Sequence, residues 1–362
     1  MSARHRRIGR PACARLTAAR PAVGRRLAAV AVLALAGLVV GCADPAPEVK
    51  PPPPPAEPPP VVQSVQVERI LRELSAELDQ AVADSSAEPL TQRVGGAALT
   101  MIEAQYAAKA ANPDEKIFAL GTRFAGGQVV ARSELWPRSF AVFTEAGDTE
   151  APFVYQLEQA DARSPYKLVL WAQMLAGAKM PNTVKAGVGS DVVDPGSQEL
   201  KMSPIAAVQA YAAAKDDPTG AQAQAFDTVP QDGADPDPVR ARWTILAKAY
   251  RDQAAMLAGA TVESPSAMVE GSVSALATAD FGALVFAQVQ SVIDLNFTPA
   301  EGVYLDIGAA GYTGLGATGL RATKSVHVEH LQTLVLAIPP EGSDQPIKVI
   351  AVADVPTAAR VE

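Results

Sequence analysis

The proline-rich run at residues 51–60 restricts the possible folds of this chain more strongly than any other segment. Its ten residues are PPPPPAEPPP, so eight of them have a fixed φ angle and no backbone N–H. Such a segment neither continues a helix nor joins a hydrogen-bonded sheet, and it favours the polyproline II conformation. At about 3.1 Å per residue it makes a semi-rigid spacer of roughly 30 Å. We therefore predict that the globular fold begins after this run.

The first 41 residues have the pattern of a secretory signal peptide. They contain eight arginines and no acidic residue, and residues 27–40 form an uninterrupted apolar run of 14 residues. A helix of that length is too short to cross about 30 Å of hydrocarbon. A basic region, a short apolar region and a small residue at the end together indicate export from the cytoplasm.

The residues around Cys42 carry a more specific signal. Residues 38–42 (LVVGC) resemble the lipobox of bacterial lipoproteins, with Gly41 before the cleavage site and Cys42 as the first residue of the mature chain. The resemblance implies a thioether-linked diacylglycerol on Cys42, and two acyl chains hold a protein stably at a membrane. Because Cys13 precedes the cleavage site, Cys42 is the only cysteine left. We therefore predict a lipid-anchored protein on the extracytoplasmic face of the cell membrane.

The charge and composition of the remaining chain exclude several classes of partner. Residues 42–362 contain 23 basic and 39 acidic residues, a net charge of −16. An acidic body argues against nucleic acid as a partner. Three histidines and two cysteines in 362 residues leave little for a metal cluster or a disulfide framework. The sequence thus predicts no metal and no cofactor.

Hydrophobic periodicity predicts an α+β fold with two domains, each made of helices followed by a curved antiparallel sheet. In the first half, helices are predicted from Val67 onward and around residues 90–110. In the second half, they are predicted at residues 203–214 and near residues 239–256. The predicted strands are 138–144, 153–158, 166–174, 272–277, 283–289, 303–307, 323–338 and 347–353. The predicted segments are a signal peptide (1–41), a lipidated cysteine with a proline-rich stalk (42–61), a first domain (62–180), a linker (181–202) and a second domain (203–362).

Five short segments carry a resemblance to a known family. They are MSPIAAVQAY at 202–211, DFGALVF at 280–286, VLAIPPEG at 335–342, RVGGAAL at 93–99 and WPR at 136–138. In these the chain resembles uncharacterised actinobacterial lipoproteins that carry a domain of unknown function. The order of helices and then a curved sheet is also similar to the cone-shaped domains of nuclear transport factor 2 and ketosteroid isomerase. That similarity implies a fold with a central cavity but assigns no activity.

A glycine motif at residues 314–319 (GLGATG) matches the GxGxxG pattern of dinucleotide-binding proteins. In those proteins the last glycine opens a helix, whose N-terminus meets the pyrophosphate. Here the following residues, 320–336, are rich in strand-forming side chains. We therefore predict a loop and no dinucleotide site.

The histidine cluster His327-Val-Glu329-His330 is the other candidate site. On a strand, His327 and Glu329 share one face, whereas His330 points to the opposite face. Two interpretations stay open: an acid/base pair lining a pocket, or a structural pair on the sheet surface. The structural interpretation is favoured because no GxSxG motif supplies a nucleophile and no further histidine completes a triad.

The sequence as a whole favours a non-catalytic binding or interaction module of the cell envelope. We assign no catalytic residue, and His327 and Glu329 are only pocket or acid/base candidates. The expected partners are the membrane, through the lipid on Cys42, and an envelope protein or small ligand. The alternative is a small-molecule-binding enzyme of the isomerase or hydrolase type that uses a cone cavity in the second domain.

Overall fold

The computed structural model describes residues 57–146, 151–227, 248–308 and 310–362. The described residues belong to one compact unit. The predicted signal peptide, Cys42 and most of the proline-rich stalk lie outside the described ranges, as do residues 239–247 of the predicted fourth helix.

Two of the predicted helices are confirmed closely. The first, α1 (Ser64–Asp84), buries Val67, Ile70, Leu74, Leu78 and Ala81, whose spacing of three or four residues forms one apolar stripe. The third, α3 (Pro204–Asp216), begins as expected at Ser203, whose hydroxyl accepts a hydrogen bond from the backbone N–H of Ala206 at 3.3 Å. Pro204 suits the first helical turn because its missing N–H needs no partner there. Part of the fourth predicted helix is also described, at residues 248–254.

The second helix, α2 (Gly96–Ala111), begins later than predicted. Residues Glu88–Thr91 form a separate 3₁₀ turn, which contains a proline. Val94 then pairs with Leu168 of the sheet, so this part of the chain is extended. Gly96 has a φ of 55°, a left-handed conformation that glycine adopts without steric cost. The glycine pair therefore ends an extended segment and starts the helix.

Fourteen strands are present in the described part of the chain, and every predicted strand overlaps one of them. Twelve join in one curved open sheet, and β11 and β12 form a small separate pair. The order along the main sheet is β5-β1-β2-β3-β4-β14-β13-β10-β7, with β6 added to β14 and with β8 and β9 added to β10. The strands are β1 Phe124–Arg132, β2 Arg138–Thr144, β3 Phe153–Gln159, β4 Lys167–Met174, β5 Ser190–Asp191, β6 Phe226–Asp227, β7 Thr261–Glu263, β8 Ser266–Met268, β9 Ser274–Ala277, β10 Ala283–Asn296, β11 Leu305–Asp306, β12 Arg321–Ala322, β13 Ser325–Ile338 and β14 Ile347–Val361.

The α+β class is therefore confirmed, but the division into two domains is not. Strand β4 of the first half pairs with β14 of the second, with Met174 opposite Ala351. One hydrophobic cluster also takes buried side chains from both halves. Its members are Val129, Ala131, Ala141, Val154, Leu170 and Ala172 from the first half and Leu276, Leu284, Phe286, Val335, Ile350 and Ala351 from the second. The two halves share a sheet and part of a core.

The predicted linker and the end of the predicted stalk also contact the sheet. Within residues 181–202, β5 pairs in parallel with β1, and Val192 pairs with Leu276. At the end of the stalk, the N–H of Val61 donates to the carbonyl of Ala131 at 2.9 Å. Glu57 forms an ion pair with Arg132. The folded unit therefore includes parts of two segments that we predicted, from their proline and glycine content, to be a linker and a stalk.

No helix within the described ranges is both long and apolar enough to cross a membrane.

Candidate functional site

The predicted pair His327 and Glu329 lies on β13, and the two side chains share a face as expected. His327 Nε2 is 3.4 Å from Glu329 Oε1. Asp294, directly opposite on β10, approaches the other ring nitrogen, with His327 Nδ1 2.6 Å from Asp294 Oδ1. Both imidazole nitrogens thus face carboxylates, at 2.6 Å and 3.4 Å. This geometry suits a cross-strand pair at a partly exposed surface.

His330 points to the opposite face, where it joins a polar cluster that sequence reasoning missed. Its Nδ1 lies 2.7 Å from Asp354 Oδ1. The amide nitrogen of Gln332 donates to Asp354 Oδ2 at 2.9 Å, and Lys215 of α3 donates to the same oxygen at 2.9 Å. Lys215 also donates to the hydroxyl of Ser291 at 2.8 Å. We call these five residues the Asp354 network.

Local sequence features explain how the side chains of the Asp354 network are positioned. Lys215 lies in the last turn of α3, where a cation is favoured by the helix dipole. Pro356 is opposite His330 beside a β-bulge, a place where a strand tolerates a residue without an N–H. The sequence signal that could have revealed the site is a charged residue, Asp354, directly after the apolar run at residues 349–353 of β14.

The electrostatics of the network stabilise the ionised form of Asp354. Burial by itself would raise the pKa of this carboxyl group, but the ammonium of Lys215 and the hydrogen bond with His330 hold the pKa well below its usual range. His330 Nε2 and Gln332 Oε1 are buried without a hydrogen-bond partner among the described atoms. The network fastens α3 to β10, β13 and β14.

The glycine motif is a loop, as predicted, and it packs closely against α2. Residues Ala310–Leu315 form a 3₁₀ turn, and the strand β12 follows in place of a helix. A Cβ atom on Gly314 would lie 2.1 Å from the carbonyl oxygen of Ala107, so no larger residue fits there without movement. Gly319 has open space around it. The first glycine of the motif is therefore explained by packing.

A groove of about 550 Å³ lies between α1, α2 and the segment that follows α2. We call it the α1–α2 groove. Small-molecule sites typically occupy about 300–1,000 Å³ and have mainly apolar linings. The apolar side chains that line this groove include Leu78, Val82, Leu90, Ile102, Phe118 and Leu120.

The polar groups of the α1–α2 groove are incompletely paired. Gln105 is only 7% exposed, and its Oε1 accepts a hydrogen bond from the backbone N–H of Phe118 at 2.6 Å. Its amide nitrogen has no hydrogen-bond partner within the described residues, and the same holds for the hydroxyl of Tyr106. Burial raises the pKa of Tyr106. Lys109 and Lys116 line the same groove and have no ion-pair partner in the part of the chain that the structure describes.

Sequence reasoning did not identify this groove. The available signal was Gln105 on a helix of mostly small and apolar residues, GAALTMIEAQYAAKAA, where it follows Ala98, Met101 and Ile102 on the buried face. A buried polar side chain at such a position calls for a partner.

A larger groove of about 750 Å³ lies between β5 and the turn that joins β9 to β10. Phe281, at the tip of that turn, is 85% exposed, and Val192 beside it is also exposed. Arg132 binds Asp191 here, and Thr278 donates to Asp280. This groove therefore offers apolar surface, and its buried polar side chain, Thr278, already has a partner.

Comparison with known proteins does not narrow the possible functions of the chain. No protein-family model matches the chain, and neither a curated protein nor a solved structure matches it. Within the described ranges, no three acidic, histidine or cysteine side chains converge as metal ligands. The geometry of the chain's own residues therefore carries the functional assignment.

Proposed function

We propose that this protein is a lipid-anchored binding protein of the cell envelope that has no catalytic activity and takes its ligand in the α1–α2 groove. The anchor is inferred from the lipobox-like residues 38–42 and from Cys42 as the only cysteine after the predicted cleavage site. A diacylglycerol on Cys42 would hold the folded unit at the extracytoplasmic face of the membrane.

One observation carries the binding proposal: Gln105, a side chain only 7% exposed, lines a groove of about 550 Å³ with an amide nitrogen that has no hydrogen-bond partner among the described residues. A ligand that supplies an acceptor would give this amide a partner, and the apolar lining would add hydrophobic contact. In the larger groove beside Phe281, the buried polar side chain Thr278 already donates to Asp280.

The enzyme alternative would use His327 and Glu329 in the second half of the chain. Both ring nitrogens of His327 are engaged by carboxylates, at 2.6 Å and 3.4 Å. A general acid or base must reach its substrate directly or through one water molecule. This arrangement favours the structural interpretation of the pair.

The anchor is tested by metabolic labelling with an alkyne fatty acid, followed by membrane fractionation. We expect the wild-type protein to carry the label and to sediment with membranes, and Cys42→Ser to lose both properties. Cys13→Ser is the matched control, because Cys13 lies in the segment predicted to be removed. Equal labelling of wild type and Cys42→Ser would overturn the anchor.

The binding role is tested by complementation of a deletion strain, with the abundance of each variant checked by immunoblot. Val82 lines the groove and is 62% exposed, so Val82→Trp should obstruct the groove without unfolding the protein. Val65→Trp, on the same helix but outside the groove, is the matched control. We expect Val82→Trp to fail, and Val65→Trp and the double variant His327→Gln with Glu329→Gln to complement. Failure of the histidine variant at normal abundance would instead support the enzyme alternative.

A further inference from the structure

We infer that the α1–α2 groove binds a single-chain amphiphilic anion, a long-chain carboxylate, with its hydrocarbon chain along the apolar lining and its carboxylate at the lysine rim. This inference rests on the proposed function and names the ligand class of the same site. Two independent features support it: the lining is mainly apolar, and the polar groups without partners are hydrogen-bond donors.

The lining provides an apolar path between the two helices. Leu78 and Val82 from α1 face Ile102 from α2, and Phe118 and Leu120 come from the segment after α2. Leu78 and Ile102 are buried beneath the groove, whereas Val82 is exposed at its edge. The gain from burying apolar surface grows with the area removed from water, so a hydrocarbon chain gains from this path along its length.

The polar groups lie together on one side of α2. Lys109 follows Gln105 by four residues and Tyr106 by three, so the three side chains project from the same side of the helix. Each presents a hydrogen-bond donor without a partner among the described residues: the amide of Gln105, the hydroxyl of Tyr106 and the ammonium of Lys109. Lys116 adds a second ammonium from the segment that follows α2. This cluster of donors favours a ligand that supplies an acceptor, and it disfavours a cationic headgroup.

Two acidic residues also line the groove, and they do not reverse this conclusion. Glu115 accepts a hydrogen bond from the side-chain amide of Asn112 at 3.1 Å, and the same oxygen lies near Gly311. Asp114 is exposed to solvent, where its charge is screened by salt. Lys116 is also exposed, so the half-buried Lys109 is the charged group best placed to meet a bound ligand.

The probe is a photoreactive palmitate that carries a diazirine on its chain. It is incubated with the purified full chain in a mild non-ionic detergent, and cross-linked peptides are located by mass spectrometry. We expect cross-links on α1, on α2 and on residues 112–120. We also expect palmitate to compete at least tenfold more effectively than hexadecanol, which has the same chain without the charge.

The variants separate the two parts of the site. Lys109→Glu with Lys116→Glu should weaken competition by palmitate about tenfold and leave competition by hexadecanol unchanged. Lys185→Glu, a lysine outside the groove lining, is the control for the change in charge. Val82→Trp should abolish labelling of the groove, whereas Val65→Trp should not.

The outcomes distinguish this inference from the proposed function. Equal competition by hexadecanol and palmitate would overturn the carboxylate ligand while leaving the groove as a binding site. Cross-links that avoid α1 and α2 would overturn the inference entirely. If Val82→Trp fails to complement although palmitate does not label the groove, the binding role stands and the ligand class is wrong.

Discussion

Lys215 on α3 and Asp354 on β14 are 139 residues apart in the sequence, and their side chains form an ion pair of 2.9 Å. The Lys215 side chain is only 10% exposed, so oxygens of Asp354 and Ser291 take the place of water as hydrogen-bond partners of its ammonium. This pair fastens a helix from the middle of the chain to the last strand of the sheet.

Replacement of Lys215 should destabilise the fold. Removing one member of a buried pair leaves the other charge uncompensated and typically costs about 3–5 kcal/mol. We expect Lys215→Met to lie near the lower end of that range, because the Asp354 side chain is 24% exposed. The measurement is the free energy of unfolding in urea. Lys248→Met removes an exposed pair with Asp252 and is the control, with an expected change below about 0.5 kcal/mol. Equal effects of the two variants would contradict the prediction.

The ionised state of Asp354 makes part of the stability dependent on pH. Its pKa is lowered in the folded protein, so the unfolded chain binds more protons at acidic pH. The stabilisation is therefore complete above the unfolded pKa of about 3.9 and is lost as the pH falls through the folded value. Asp354→Asn should be less stable than wild type at pH 7, and this difference should shrink at pH 4 and again at pH 3. A difference that is constant with pH would exclude this role for the carboxylate.

The packing role of the glycine motif is tested by two matched substitutions. Gly314→Ala should destabilise the protein, because the new Cβ would meet the Ala107 carbonyl oxygen at 2.1 Å. Overpacking of this kind typically costs about 1–3 kcal/mol or more. Gly319→Ala, within the same motif, should change the melting temperature little, since nothing lies within 4 Å of its Cβ position. Equal sensitivity at both positions would mean that packing against α2 does not explain the motif.

The shared sheet predicts that the second half does not fold alone. A fragment of residues 203–362 loses the pairing of β14 with β4 and half of the cluster that contains Leu284 and Phe286. We expect it to lack a cooperative thermal transition, whereas the full chain unfolds cooperatively. Circular dichroism during heating measures this directly. A cooperative transition in the isolated fragment would show instead that residues 203–362 form a separate domain.

Features that depend on local spacing were predictable from the sequence. Three such features follow from the geometry of one helix or one strand. They are the apolar stripe of α1, the start of α3 at Ser203 and the common face of His327 and Glu329. The common face of Phe153, Tyr155 and Leu157 on β3 also follows, since the three residues alternate along the strand and join one cluster. These features need no knowledge of distant residues.

The candidate sites depended on residues that are distant in the sequence. Gln105 is in a helix, and the backbone group that occupies its oxygen belongs to Phe118 in the next segment. His330 was expected to point away from His327, but its partner Asp354 comes from another strand. Periodicity assigns a face to a side chain, and it does not say what lies across from that face.

Composition and local periodicity were enough to predict the class of secondary structure, the acidic body, the lipobox-like segment at Cys42 and the positions of most helices and strands. The folded chain was needed to show that both halves share one sheet, that Lys215 meets Asp354, and that α1 and α2 leave a groove beside Gln105. Helix and strand patterns can be predicted because they arise from contacts a few residues apart. The pairing of β4 with β14 instead depends on how well whole apolar faces pack, and that free energy is shared among many residues along the chain.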